Sequence, residues 1–142
     1  METSRRGDLT QTLRALIDEF NQAKERRSPS RYLERMIIKA EGRVFFLKTN
    51  EIDWVEAQGN YVMLHVGKES HLLRDAISKI EGQLNPKKFL RIHRSTLVNI
   101  DRIKELQSLF HGDYRVLLKD GTKLLLSRRY RWKARESLGR DL

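Results

Sequence analysis

What most constrains this chain is a run of short apolar segments, four to seven residues each, punctuated by turn signals from residue 36 to residue 127. MIIKA, RVFFLKT, IDWVEA, YVMLHV and HLLR are rich in β-branched and aromatic residues, and EG, TNE, QGN and GKES separate them. Segments of that length and composition between turn residues form strands. FLRI, TLVNI and IKELQSL continue the series, and Asp120-Gly121 between YRVLLK and TKLLLS marks a hairpin. One helix interrupts the strands. Asp75 caps DAISKIEGQL, where Ile77, Ile80 and Leu84 share one stripe, and Asn85-Pro86 ends it. SRRYRWKARESL reads as a short terminal helix capped by Ser127. Upstream, Leu9, Leu13, Leu16 and Phe20 are spaced as one face of an amphipathic helix over residues 8–26, and KERRSPSR reads as a linker. That helix either packs on the following domain or mediates dimerisation. The expected organisation is an N-terminal helix and linker over 1–31 and a mostly β, antiparallel domain over 32–142.

Composition narrows the chemistry. The 142 residues include no cysteine, so disulfides and thiolate metal sites are excluded. His65, His71, His93 and His111 form no HxxxH or HxH pair. No GxxxxGK[ST] or GxGxxG loop cradles a nucleotide. His93, Ser95 and Asp101 could be drawn as a triad, but they lie on one strand and its exit, whereas triad members normally come from separate elements. The expectation is a non-enzymatic protein that needs no cofactor. No apolar run approaches the ~18 residues of a membrane span, and METSRRGD has no signal-peptide core, which together suggest a cytoplasmic protein.

The net charge of +10 is unevenly placed. Residues 1–35 carry 8 basic and 6 acidic side chains, residues 36–84 carry 6 and 7, and residues 85–142 carry 15 and 6. Nearly all the excess therefore sits in the last segment, in arginine clusters, as expected for a polyanion partner. His93-Arg94-Ser95 puts charge beside the core-forming Leu97-Val98. In the terminal helix Arg128, Arg131 and Arg135 fall on one stripe, and Tyr130, Ala134 and Leu138 fall roughly opposite, able to dock on a sheet. Gln58-Gly59-Asn60-Tyr61 is a polar turn whose amide groups suit adenine recognition, although Gly-Asn is also simply a good turn and Tyr61 suits a core.

Taken in order, IDWVEAQGNYVMLHV, FLRIHRSTLVNIDRIKEL and the hairpin ending in LSRRY resemble the LytTR (LytR/AlgR-type) DNA-binding domain over about residues 36–138. The resemblance implies an elongated fold of small antiparallel sheets with a helix, whose edge loops enter successive major grooves of double-stranded DNA. It implies transcription regulation in a bacterium, commonly with two copies on a promoter direct repeat. Carried over by residue, the DNA-facing positions fall on Asn60 and Tyr61, on His93, Arg94 and Ser95, and on Arg128 and Arg129; further along the terminal helix, outside those matched positions, Arg131 and Arg135 are expected to face phosphates. His93 is either a contact or a hydrogen-bonded residue beside the contact loop, and Asn99 is expected to satisfy backbone groups at the following turn. Many members follow a phospho-receiver domain within two-component systems. The 35 or so residues ahead of the match read either as the end of an interdomain linker or as a helix in its own right. Of the other readings, an adaptor binding protein through the N-terminal helix comes second, and an RNA-binding module third.

Overall fold

The computed structural model describes residues 12, 13, 15, 16, 32–139 and 142. The chain divides into two compact units, Met1–Arg31 and Tyr32–Leu142. In the first, Thr12, Leu13, Ala15 and Leu16 are helical, with Leu13 and Leu16 exposed. The remainder of the expected helix over 8–26, and the linker, lie outside the described residues.

In the second unit all ten expected strand segments form strands, and every pairing is antiparallel. β1 (Arg35–Ala40) and β2 (Arg43–Lys48) make a ribbon. β3 (Trp54–Gln58), β4 (Tyr61–Val66) and β5 (Glu69–Leu73) form a meander. Helix α1 (Ile77–Gln83) then carries the chain to β6 (Phe89–His93), and β7 (Thr96–Asn99) returns between β6 and β3. The resulting five-stranded sheet runs β5-β4-β3-β7-β6. β8 (Ile103–Ser108), β9 (Tyr114–Leu118) and β10 (Lys123–Leu126) build a three-stranded sheet, and α2 (Arg131–Leu138) follows a 3-10 turn at Arg128–Tyr130.

Strand alternation splits the core into two layers, because successive side chains point to opposite faces. Val55, Val62, Leu64, Phe89 and Leu97 pack on one face with Ile77, Ile80 and Leu84 of the α1 segment and Met36, Ile38 and Leu47 of the ribbon. Leu90, Ile92 and Val98 face the other way, onto Val116, Leu118, Leu126 and Ala134. The five-stranded sheet is therefore covered on both sides, and β6 and β7 contribute to both layers. That accounts for the near-continuous apolar character of their sequences.

Two capping expectations need correction. Asp75 is not the N-cap of α1: Ala76 holds that position, with no side-chain cap, while Asp75 Oδ1 accepts the Ala76 N–H at 3.0 Å one residue earlier. Ser127 does precede the 3-10 turn, but its hydroxyl caps nothing; the carboxylate of Asp113 takes that role. Asn99 is as expected. It is 3% exposed, its Oδ1 accepts the Asp101 N–H at 3.0 Å, and its Nδ2 donates to the carbonyls of Ile52 at 2.9 Å and Asn50 at 3.3 Å. A buried amide with its groups engaged fixes the end of β7 against the approach to β3.

Candidate nucleic-acid interface

The register of the five-stranded sheet decides which turns share an end. β3 and β4 pair as Gln58↔Tyr61, leaving Gly59-Asn60 as a two-residue turn. Gly59 has φ +61°, the first-position conformation of a II′ hairpin, which glycine adopts without strain. β3 also pairs with β7 as Glu56↔Thr96, and the Ala57 N–H donates to the Ser95 carbonyl at 2.8 Å. The 94–95 turn thus lies at the same end as the 59–60 turn. On the outer side of β6, the Ser127 N–H donates to the Ile92 carbonyl at 2.9 Å, which brings Arg128 and Arg129 alongside His93. Three segments far apart in sequence form one row: Asn60-Tyr61, then His93-Arg94-Ser95, then Arg128-Arg129.

A β-bulge shapes the middle of the row. Between Arg91↔Leu97 and His93↔Thr96, β6 advances two residues while β7 advances one. A one-residue slip reverses the face on which later side chains emerge. His93 consequently lines a shallow depression of ≈ 330 Å³ with Arg94, Asp113, Ser127, Arg128, Arg129 and Tyr130. Its Nδ1 lies 2.8 Å from Ser95 Oγ and accepts the Ser95 backbone N–H at 3.2 Å. A backbone N–H can only donate, so the neutral ring carries its proton on Nε2. His93 is both half-buried and hydrogen-bonded, and it keeps one polar edge for a partner.

The flanking residues differ in freedom. Arg94, Arg128 and Arg129 are exposed, and no ion pair engages their guanidinium groups among the described residues. Asn60 is exposed and Tyr61 is 40% exposed, so Tyr61 is not a core residue. Arg131 is half-buried, with its guanidinium 5.4 Å from the centre of the Tyr114 ring. It is therefore packed rather than extended into solvent like Arg129. Tyr130, Ala134 and Leu138 dock in the second core layer, as their spacing requires.

The 109–113 loop is a part of this end that the sequence did not reveal. Asp113 Oδ1 accepts the Arg128 N–H at 2.9 Å, and Phe110 beside it is 87% exposed. His111 sits at φ +64° and Gly112 at φ +82°, which lets the loop double back between β8 and β9. Gly-Asp after an apolar run signals a turn, but nothing local says that its carboxylate caps a segment 15 residues away.

Exposed arginines, a histidine edge and amide side chains on turns at one end of a small antiparallel scaffold have the chemistry that a polyanion-binding surface needs. The chain belongs to the LytTr DNA-binding domain family, whose model matches residues 42–139. It is similar to the sensory transduction protein LytT of Bacillus subtilis, with 32% identity over 87 residues, covering 61% of this chain and 36% of that protein. The transcriptional regulatory protein LytR of Staphylococcus aureus is 28% identical over 102 residues, covering 72% of this chain and 42% of LytR. The chain thus spans well under half the length of these relatives. The fold is similar to the LytTr DNA-binding domain of a Bacillus cereus protein, with a TM-score of 0.69 at 20% identity, covering 75% of this chain and 98% of that domain. Among the described residues no helix is long and apolar enough to cross a membrane, and no group of three His, Asp or Glu side chains could hold a metal ion.

Proposed function

We propose that this protein binds double-stranded DNA in a sequence-specific manner to regulate transcription. In this reading Asn60, Tyr61, His93, Arg94, Ser95, Arg128 and Arg129 face the duplex, and Arg131 supports them beside the phosphates. The observation that carries the reading is the gathering of three sequence-distant polar and basic segments into one row by register and two backbone hydrogen bonds. From the 59–60 turn across β7 and β6 to Ser127 is about three and a half strand spacings, or roughly 17 Å at ~4.8 Å each. That exceeds the ~12 Å width of a major groove, so the two ends of the row engage different stretches of the duplex. Two copies on a direct repeat extend the same contact along the DNA, consistent with a family whose relatives here include a transcriptional regulator.

The role is binding rather than catalysis, and it proceeds without a bound metal, so dialysis against a chelator leaves affinity unchanged. The deciding experiment is a gel shift with duplex DNA, single-stranded DNA and RNA at moderate salt, followed by selection of bound duplexes from a random pool. Enrichment of a repeated motif in duplex DNA is the expected result. Equal retention of all three nucleic acids, with no enriched motif, would overturn the reading.

A further inference from the structure

We infer that Arg91 is a positioning residue for DNA reading: anchored by Glu81, its guanidinium holds the carbonyls of His93 and Arg94 and thereby sets where those two side chains meet the bases. The inference rests on the DNA-binding reading above and names a residue outside the row itself.

Arg91 lies on β6 opposite Leu97, on the face that carries Phe89 and Leu97 into the first core layer. Its side chain is only 10% exposed, too covered to serve as a free phosphate contact. Nη1 pairs with Glu81 Oε1 of α1 at 2.9 Å, Nε donates to the His93 carbonyl at 2.7 Å, and Nη2 donates to the Arg94 carbonyl. The bulge after Arg91 shifts the register just ahead of this turn, and the charged donors of Arg91 hold the two carbonyls that follow it. Only a planar fork with several fixed donors spans such a set; a lysine is a single point charge.

Fold stability alone does not explain a charge here. Replacing a covered ion pair by apolar side chains is often neutral or stabilising, and this face of β6 already adjoins a hydrophobic layer. What the guanidinium adds is definition of the turn, and a reading group has to be held to within about 0.5 Å to discriminate between bases. Glu81 extends the device. Its second oxygen accepts Lys133 Nζ of α2 at 3.1 Å, and the Tyr130 ring lies 5.8 Å from the Arg91 guanidinium and 5.5 Å from Lys133 Nζ. One carboxylate therefore ties the His93–Ser95 turn to the helix that continues from Arg128 and Arg129.

The test uses the full chain, a preferred duplex selected from a random pool, and a scrambled duplex, across a salt series. Arg91→Met and Arg91→Lys should each lose about tenfold on the preferred duplex, the scale of a charged hydrogen bond. On the scrambled duplex they should lose little, with an unchanged salt slope; the urea midpoint should fall because Glu81 and two carbonyls lose a partner, so binding is compared far below the unfolding transition. Glu81→Gln, which keeps the shape but weakens the anchor, should lose an intermediate amount and guards against a folding defect in the other two. In an Arg94→Ala background the added cost of Arg91→Met should shrink, because the group being positioned is gone. Equal losses on both duplexes with a salt slope lower by about one would make Arg91 a phosphate contact instead. No loss on the preferred duplex would show that the turn holds itself. If the parent protein prefers no duplex, the DNA-reading proposal fails first, and this inference falls with it.

Discussion

The β3–β4 and β6–β7 turns close the same end of the same sheet, yet they are built in opposite ways. Gly59-Asn60 is set by backbone conformation: two residues, one left-handed glycine, and no side chain clamping the loop. His93–Ser95 is set from outside, by a bulge in β6, by the imidazole folded onto Ser95, and by the Ala57 and Ser127 amides on its two flanks. The first turn leaves its side chains free to adapt, whereas the second fixes its backbone and the His93 and Ser95 side chains before any partner arrives. Preorganised groups lose less entropy on binding and discriminate more sharply. On that basis the middle of the row should carry specificity, and the Asn60 turn should add adaptable contact.

The harshest way to break the contrast is to loosen the strand beneath the rigid turn. Asn99→Ala removes the donor for Ile52 and Asn50 and the acceptor for Asp101 at the far end of β7. It should cost about 3 kcal/mol of stability in urea unfolding, as expected when several buried polar groups lose partners together. An undiminished midpoint would mean that β7 is secured by packing alone.

A sharper cut compares the two turns directly. Arg94→Ala, and likewise Arg129→Ala, should cost about 1–3 kcal/mol on the preferred duplex and narrow its margin over random DNA. Asn60→Ala should cost less than either. A larger loss at Asn60 than at Arg94, measured on the same pair of duplexes, would reverse the assignment of specificity. Arg131→Ala should weaken both duplexes alike and lower the salt slope by about one or less.

The same contrast explains what was legible in the sequence. Strand segments, the α1 stripe, the Asp120-Gly121 hairpin and the docking face of α2 all depend on near neighbours, and each appears as expected. Asn99 was legible too, because an asparagine leaving a strand has backbone groups within reach. The bulge was not, since RIHRST has the same alternation whether or not β6 gains a residue over β7. Nor was the substitution of Asp113 for Ser127 as the cap. Serine is a good N-cap by type, and only the return of the 109–113 loop puts a stronger acceptor there. Arg131 lay on a solvent stripe by helical spacing, but the 3-10 turn before α2 and the nearby Tyr114 ring turn it into a packed residue. Locally determined features could be read; those created by two distant segments meeting could not.

Asp113 offers the next test, with opposite signs on folding and binding. Asp113→Ala frees the Arg128 N–H and should cost about 1 kcal/mol of stability, the usual value of a lost cap. It also removes a carboxylate from the depression that His93, Arg128 and Arg129 line, so affinity for scrambled duplex should rise at low salt. Weaker binding to every duplex would instead make the cap essential to the placement of Arg128.

The smallest effect is expected at the opposite end of the three-stranded sheet, where Asp120 holds a turn with no part in the row. Its Oδ1 accepts the Thr122 N–H at 2.9 Å, and hydrogen bonds from Thr122 hold its carboxyl below the usual carboxylate range. A group whose pKa is lower in the folded state favours folding above its unfolded value, and that contribution fades as pH falls through the folded value. The hairpin should therefore lose this support only in acid, below the ordinary aspartate pKa of about 3.9. The carboxylate is exposed and screened, so Asp120→Ala should cost at most a few tenths of a kcal/mol at neutral pH. The difference between mutant and parent in urea midpoint should close as the pH drops. Binding to preferred and scrambled duplexes at neutral pH should match the parent for Asp120→Ala but not for Asp113→Ala. Each carboxylate accepts one backbone N–H, Asp113 from a distant segment and Asp120 from its own turn, so a shift in binding from Asp120→Ala would mean that the proposed DNA-facing end does not act alone.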